Sequence, residues 1–262
     1  MPPRESIIIV RRDKLRERLL RNQRENRFLV KDSDDMKVIE EVFDKPTLLA
    51  LSDLLNRGEI VGLNGVVRAG KEARVYWGVG PDKTPKAVKI YLAASMEFKK
   101  RVRYIAGDYR FRRIPSSSRG LINLWVQKEF KNLRLAHDAG VRVPRPYDYN
   151  ENILIMEYIG TPPAPAPIFA EAEVDASDLD WTIETVRTLY RKAGLVHADL
   201  SEFNIFKNDG ERVLFDMGSA VSKSHPEAKE FLRRDLFNVV HFFKKRGIPI
   251  SAPEELLKEV TG

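Results

Sequence analysis

The sequence predicts an α+β protein of two lobes: a small one built on a five-stranded antiparallel sheet with one main helix, and a small, mostly helical second one. Three observations carry that prediction. From residue 60 to 91 the chain runs through short β-branched and aromatic segments, "IVGLNGVV", "ARVYWGV" and "KAVKIY", parted by turn residues such as "GPDKTP". Beyond residue 168 helical spacing dominates, with only two short strands, "NIFKN" and "RVLFD". Between these regions lies "GTPPAPAPI" (160–168), a Pro/Ala stretch that reads as an extended linker and divides a first lobe at 46–159 from a second at 160–262.

The bulk properties narrow the function. At 262 residues the chain is long enough for a substantial core. Its 45 Lys and Arg against 38 Asp and Glu leave a net charge of +7, which suits a polyanionic partner. The absence of cysteine excludes disulfides, thiolate zinc sites and cysteine nucleophiles, and the four histidines show no metal-ligand spacing. The apolar run Ile7–Val10 is far too short for a signal-peptide core or a membrane span, so the expectation is a cytoplasmic protein without a membrane partner.

Each element has a local reason. The first thirty residues are rich in arginine, and Leu15, Leu19 and Leu20 give Arg11–Asn26 the narrow apolar stripe of a charged surface helix, part of an N-terminal extension over 1–45. Asp34 and Asp35 suit the cap of a second short helix ending at Phe43. Pro46 fits a first helical turn, Leu48, Leu51, Leu54 and Leu55 share one face, and Gly58 stops that helix. The three-stranded meander follows. Residues 120–139 form a long helix closed by Gly140, and "VPRPYDYNENILIMEYI" supplies two more strands turning at 150–152. In the second lobe, Asp178–Ala193 is amphipathic with Gly194 as its stop, a helix spans Glu227–Lys245, and a last one follows Pro253.

Certain polar residues in this frame point to phosphoryl transfer from a nucleotide, which needs positioned cations and an oriented acceptor more than covalent chemistry. In "LVHADLSEFNIF", Asp199 stands at the end of an apolar entry, where a carboxylate can orient an acceptor or a water, and Asn204 offers a carbonyl oxygen to magnesium. Asp216 follows the apolar strand Val213–Phe215 and precedes a glycine, a sound place to hold a metal against phosphates. Each of these also suits a simple turn residue satisfying backbone donors. The first lobe supplies the companions: Lys89 in the third strand, Glu129 on the long helix, and, in "RAGKEARVY", Gly70 for close backbone approach and Lys71 for charge. All five elements stand in the order of a bilobal protein-kinase-like fold.

The stretches "GKEARVY", "AVKIY", "RYIAGDYRFR", "KEFKNL", "MEYIG", "LVHADLSEFNI" and "FDMGSAV" resemble the RIO family of atypical serine/threonine protein kinases, most closely its type-one branch, from about residue 50 to 245. The resemblance implies ATP with Mg2+, or Mn2+ in its place. It implies Asp199 as the catalytic aspartate, Asn204 and Asp216 as metal ligands, and Lys89 on the phosphates with Glu129 as its partner. Glu157 and Ile159 would offer hinge backbone groups to adenine. It further implies an aspartyl-phosphate on Asp216, as in an ATPase, and a role in late maturation of the small ribosomal subunit. Two positions depart from the pattern: Arg68-Ala69 replace Ser-Thr before the loop glycine, and Met217 stands where ordinary kinases have Phe. Ala198 occupies the place of the arginine that clamps a phosphorylated activation loop in ordinary kinases, and the short interval from Gly218 to Glu227 leaves no room for such a loop or its peptide-docking platform.

The charge is concentrated. Residues 98–119 carry eight basic side chains, Lys99, Lys100, Arg101, Arg103, Arg110, Arg112, Arg113 and Arg119, and one acid, Asp108, a balance of +7 that equals the charge of the whole chain. With Phe98, Tyr104, Tyr109 and Phe111 interleaved, this flexible basic loop reads as a contact for ribosomal RNA of the small-subunit precursor. Ser116, Ser117 and Ser118 there read as acceptors for self-phosphorylation. Two other functions compete: a small-molecule kinase of the aminoglycoside or choline type, and an RNA-binding assembly factor that uses ATP only as a conformational ligand.

Overall fold

The computed structural model of the chain describes residues 10–11, 43–92 and 101–262. These form two compact units. The first joins residues 10–11 and 43–92 with 146–165, and the second joins 101–145 with 166–262. The long helix, whose apolar residues Leu121, Leu124, Trp125 and Leu133 suggest packing on the sheet, groups instead with the second unit. The charged helix expected from Arg11 and the helix expected over 34–43 lie outside the described residues, apart from Val10–Arg11 (β1), which pairs as a strand.

In the first unit, helix α1 spans Lys45–Arg57. The Asp44 carboxylate accepts the Thr47 N–H at 3.0 Å, and Gly58, left-handed at φ 80°, returns its N–H to the Leu54 and Leu55 carbonyls. Leu48, Leu51, Leu54 and Leu55 pack on the sheet through Ile60, Leu63, Tyr76, Val88, Ile153 and Ile155. Strands β2 (Gly62–Ala69), β3 (Ala73–Val79), β4 (Pro85–Tyr91), β5 (Pro146–Asn150) and β6 (Ile153–Glu157) form the expected five-stranded antiparallel sheet. Its order is β2-β3-β4-β6-β5, with β1 added at the β2 edge. A buried amide fastens helix to sheet: Asn152 Nδ2 donates to Thr47 Oγ1 at 2.9 Å and to the Tyr91 carbonyl at 2.7 Å. The Pro/Ala stretch is more than a linker, since β7 (Gly160–Thr161) and β8 (Ala164–Pro165) pair across the prolines at 162–163.

The second unit is mostly helical, with α2 over Ser118–Asp138, α3 over Ala176–Thr188, α4 over Ala228–Lys245 and α5 over Pro253–Thr261. An Asp175/Asp178 capping box starts α3. A single π turn, Leu189–Ala193, then carries it to left-handed Gly194. Between α3 and α4 run four short strands, paired as β9 (Leu195–Val196) with β12 (Val221–Ser222) and β10 (Ile205–Asn208) with β11 (Glu211–Leu214). Helix α4 buries Phe231, Leu236, Val239, Val240 and Phe243, so it forms the spine on which these loops rest. Among the described residues no helix is long and apolar enough to cross a membrane.

Candidate active site

The catalytic candidates lie where the chain of the second unit passes between the strand pairs β9/β12 and β10/β11. Asp199 follows β9, Asn204 precedes β10, and Asp216 follows β11. Backbone and side-chain bonds tie the three turns together. Asn204 Nδ2 donates to the Asp199 carbonyl at 2.7 Å, and the Phe215 N–H donates to the Asn204 carbonyl at 2.9 Å. His197 Nε2 donates to the Phe215 carbonyl at 3.1 Å, which fixes the loop histidine against the residue before Asp216. With its amide nitrogen engaged by the Asp199 carbonyl, Asn204 could offer its Oδ1 to a metal, and Asp216 could add a carboxylate. Two protein oxygens with phosphates and waters completing the shell suit Mg2+, which rarely takes an all-protein cage. No cluster of three or more acidic or histidine ligands exists among the described residues.

The electrostatics mark Asp199. Its side chain reaches solvent, yet crowding by protein raises its pKa above the usual value, and the Asp216 carboxylate pushes the same way while His197, Arg234 and Arg101 oppose the rise. Two carboxylates that resist joint ionisation are a ready seat for a divalent cation, whose charge removes the conflict. Asp216 itself has left-handed backbone, φ 61° and ψ 58°, a conformation that aspartate tolerates better than most residues.

The loop is held from beneath by α4. Asp235, 1% exposed, accepts the Ala198 N–H at 2.7 Å and the Leu200 N–H at 2.9 Å. Burial raises its pKa to about 6, with His197 and the two backbone donors opposing the rise. Arg234 donates to the Ala198 carbonyl, and Asn238 Nδ2 donates to the Leu200 carbonyl at 3.0 Å. The turn at Ala198 is left-handed, φ 65°, and buried.

The Asp216 motif is held by α2. Lys128, 0% exposed, donates to the Gly218 carbonyl at 2.8 Å and the Ala220 carbonyl at 2.5 Å. Asn132 Nδ2 donates to the Met217 and Ala220 carbonyls, both at 2.8 Å. Gly218 lies so close to Trp125 that a Cβ there would sit 2.7 Å from the indole nitrogen. Glu129, on the same helix, is buried at 1% exposure.

The basic segment differs from a solvated loop over its described part. Ile105 and Phe111 are buried, Tyr104 stacks on Phe231 at 5.2 Å, and of this segment's described aromatics only Tyr109 is widely exposed, at 64%. Arg110 turns inward: its Nε and Nη2 reach Asp108 at 2.9 and 2.6 Å, and its Nη1 reaches Asn132 Oδ1 at 2.9 Å. Burial alone would raise the Asp108 pKa, but Arg110 holds it below the usual value. Arg103 pairs with Glu227, and Arg101 lies over the Trp125 ring at 4.6 Å. Arg112 and Arg113 are exposed, and Lys99 and Lys100 lie outside the described residues. Ser117 Oγ accepts the Gly120 N–H at 3.1 Å and thereby caps α2.

The remaining candidates belong to the sheet unit. Gly70 donates its N–H to the Ala73 carbonyl at 2.9 Å, closing the β2–β3 turn on which Lys71 is exposed. A Cβ at Gly70 would meet that carbonyl at 3.0 Å. Lys89 lies opposite Leu154 of β6 and Val75 of β3, its ammonium 5.0 Å from the centre of the Tyr91 ring. Glu157 ends β6 opposite Lys86, and Ile159, two residues on, is buried. The structure brings Asp199, Asn204 and Asp216 together in one unit with Glu129, and Gly70, Lys71, Lys89, Glu157 and Ile159 in the other.

The family model described as RIO domain matches residues 74–256. The chain belongs to the RIO kinase family. Among its RIO relatives, the RIO-type serine/threonine-protein kinase Rio1 of Haloferax volcanii is 40% identical over 252 residues, 95% of this chain and 86% of that protein. The serine/threonine-protein kinase RIO1 of Homo sapiens is 34% identical over 92% of this chain but only 44% of its own length. This RIO chain therefore spans most of its archaeal relative and under half of the human one. Its fold is also that of the Rio2 kinase–ADP/Mg2+–phosphoaspartate complex from Chaetomium thermophilum, with a TM-score of 0.63 at 20% identity over 81% of this chain and 65% of that one. The bilobal kinase-like class expected from the sequence is thus the observed one.

Lys128, Asn132, Arg234 and Asp235 escaped the sequence reading. The first two had a signal, since in "QKEFKN" they stand four apart and so share a helix face with each other rather than with Glu129. Arg234 and Asp235 had none, because their partners lie 35 to 37 residues away.

Proposed function

We propose that this RIO chain is a Mg2+-dependent, ATP-consuming atypical serine/threonine kinase and ATPase that works on the small ribosomal subunit precursor. The observation that carries the reading is the Asp199–Asn204–Asp216 constellation, three turns bonded to one another within a RIO-family chain. Asn204 and Asp216 are the residues to hold Mg2+, with Mn2+ in its place, and the ion would neutralise charge on the transferring phosphate. From the sheet unit, Gly70, Lys71 and Lys89 are assigned to phosphate and the Glu157 and Ile159 backbone to adenine.

In the ATPase cycle the Asp216 carboxylate attacks the γ-phosphorus, the bond to the β–γ bridging oxygen breaks, and ADP leaves. Water then attacks the acyl phosphate; its phosphorus–oxygen bond breaks, giving inorganic phosphate and restoring the carboxylate. Asp199 accepts the proton of the attacking water or, in the kinase reaction, of the acceptor hydroxyl. A phosphoaspartate is named for the Chaetomium neighbour, to which this chain is alike in fold. The small-molecule kinase reading lacks a comparable support, since the relatives named above are protein kinases.

The test is to expose the protein to γ-labelled ATP with Mg2+, quench in acid, and map the label by mass spectrometry. Acid-stable, hydroxylamine-labile phosphate on Asp216 is the expected result; label confined to Ser or Thr overturns the aspartyl-phosphate cycle. RNA docking is assigned to the basic segment and has its own check. Arg112→Glu with Arg113→Glu should weaken binding to ribosomal RNA at least about tenfold and flatten its salt dependence by about two phosphate contacts. Unchanged affinity would remove these arginines from the RNA surface.

A further inference from the structure

The motif after Asp216 is bonded to α2 through every carbonyl but one between residues 217 and 220. Lys128 and Asn132 together make four bonds to the carbonyls of Met217, Gly218 and Ala220. Neither donor is free to turn away. Lys128 is fully buried, where losing two acceptors would strand an ammonium group. The Asn132 amide is oriented from behind, because Arg110 donates to its Oδ1 and so aims its Nδ2 at the carbonyls. Arg110 in turn is held by the buried Asp108. Trp125 closes the remaining side against Gly218, so no side chain fits between motif and helix.

We infer that Lys128 and Asn132 are positioning residues, which lock the Asp216 motif in its metal-holding conformation permanently. A strained left-handed aspartate persists only where the surrounding structure over-determines it, and these four bonds do so. In regulated kinases an ordered activation loop serves that end. Here a buried lysine and amide serve it, and there is no switch to throw. The inference rests on the assignment of Asp216 as metal ligand.

Asn132→Asp is the sharpest probe. It keeps the shape and the acceptor for Arg110 but removes the donor, while Lys128→Met removes the ammonium at similar length. In metal-free hydrogen exchange, the amides of residues 217–221 should exchange at least about tenfold faster in either variant, with the core of α4 unchanged. The Mg2+ concentration for half-maximal ATP turnover should rise about 10- to 100-fold, with kcat largely recovered at saturating Mg2+. If Lys128→Met does not fold, Asn132→Asp decides alone. Unchanged exchange in 217–221, or an unchanged Mg2+ requirement, overturns the inference. Should the wild type itself consume no ATP, the kinase reading falls, while the exchange comparison still judges the lock.

Discussion

Asp199→Asn should lower ATP turnover by about 10²–10⁴-fold while leaving nucleotide affinity within about threefold of wild type. The size follows from the geometry. Asp199 is the carboxylate of the loop that reaches solvent, and the loop's other polar contacts are internal: the Asp199 carbonyl takes the Asn204 amide, and the Ala198 and Leu200 amides go to Asp235. Replacing one side-chain oxygen by an amide keeps that backbone frame and removes the proposed proton acceptor, so the loss should fall on kcat. Calorimetric ATP titration alongside steady-state turnover separates the two quantities. Turnover within a factor of two of wild type would remove Asp199 from the chemistry. The pKa direction adds a pH signature. Because crowding, reinforced by Asp216, raises the Asp199 pKa, the acid limb of the wild-type rate profile should lie above the ordinary carboxylate range, and the residual activity of the variant should lack that limb.

Asp235→Ala should destabilise the second unit by about 2–5 kcal/mol. It strips the acceptor from two buried N–H groups, each about 1–3 kcal/mol when left unsatisfied. At about 2–4 °C per kcal/mol for a chain of this order, thermal unfolding should fall by about 5–15 °C. Asp235→Asn should lie between, since one oxygen remains to accept. The pH dependence separates the two forms. Asp235 titrates near 6 in the fold against 3.8 ordinarily, so the folded state prefers it protonated. Its contribution is therefore full below the ordinary carboxylate pKa and is lost as pH rises through about 6. The stability margin of wild type over Asp235→Asn should narrow from pH 4 to 6 and be level above that. A margin that widens with pH would show the carboxylate to be favoured by its backbone donors after all.

Much of the architecture was legible because its signals are local. The α1 cap at Asp44 and stop at Gly58, the β-branched and aromatic runs of β3 and β4, and the punctuation of α3 by Gly194 all depend on residues a few positions apart. The Asp199 and Asn204 spacing was legible for the same reason. The grouping of α2 was not. Its apolar residues Leu121, Trp125 and Leu133 state that one face is buried without naming the surface that buries it. In the basic segment the eight cations within 22 residues, and Arg110 two residues from Asp108, were legible, but the pairing of Arg103 with Glu227, 124 residues on, is decided only by the fold.

Ala198 shows the division most plainly. Its identity already excluded an arginine clamp at that position, since a methyl group can hold no phosphate, and that much is chemistry readable from one letter. What stands in the clamp's place was decided by packing. A guanidinium does reach this turn, but Arg234 brings it from α4, and it meets the Ala198 carbonyl; Asp235 beside it gathers the flanking amides. Local sequence carries propensities, turn chemistry and the kinds of groups available for phosphate and metal. Long-range partners such as Asp235 with Leu200, or Lys128 with Gly218 and Ala220, become specific only when burial removes water as the competing partner and leaves each donor only the acceptors the fold puts within reach.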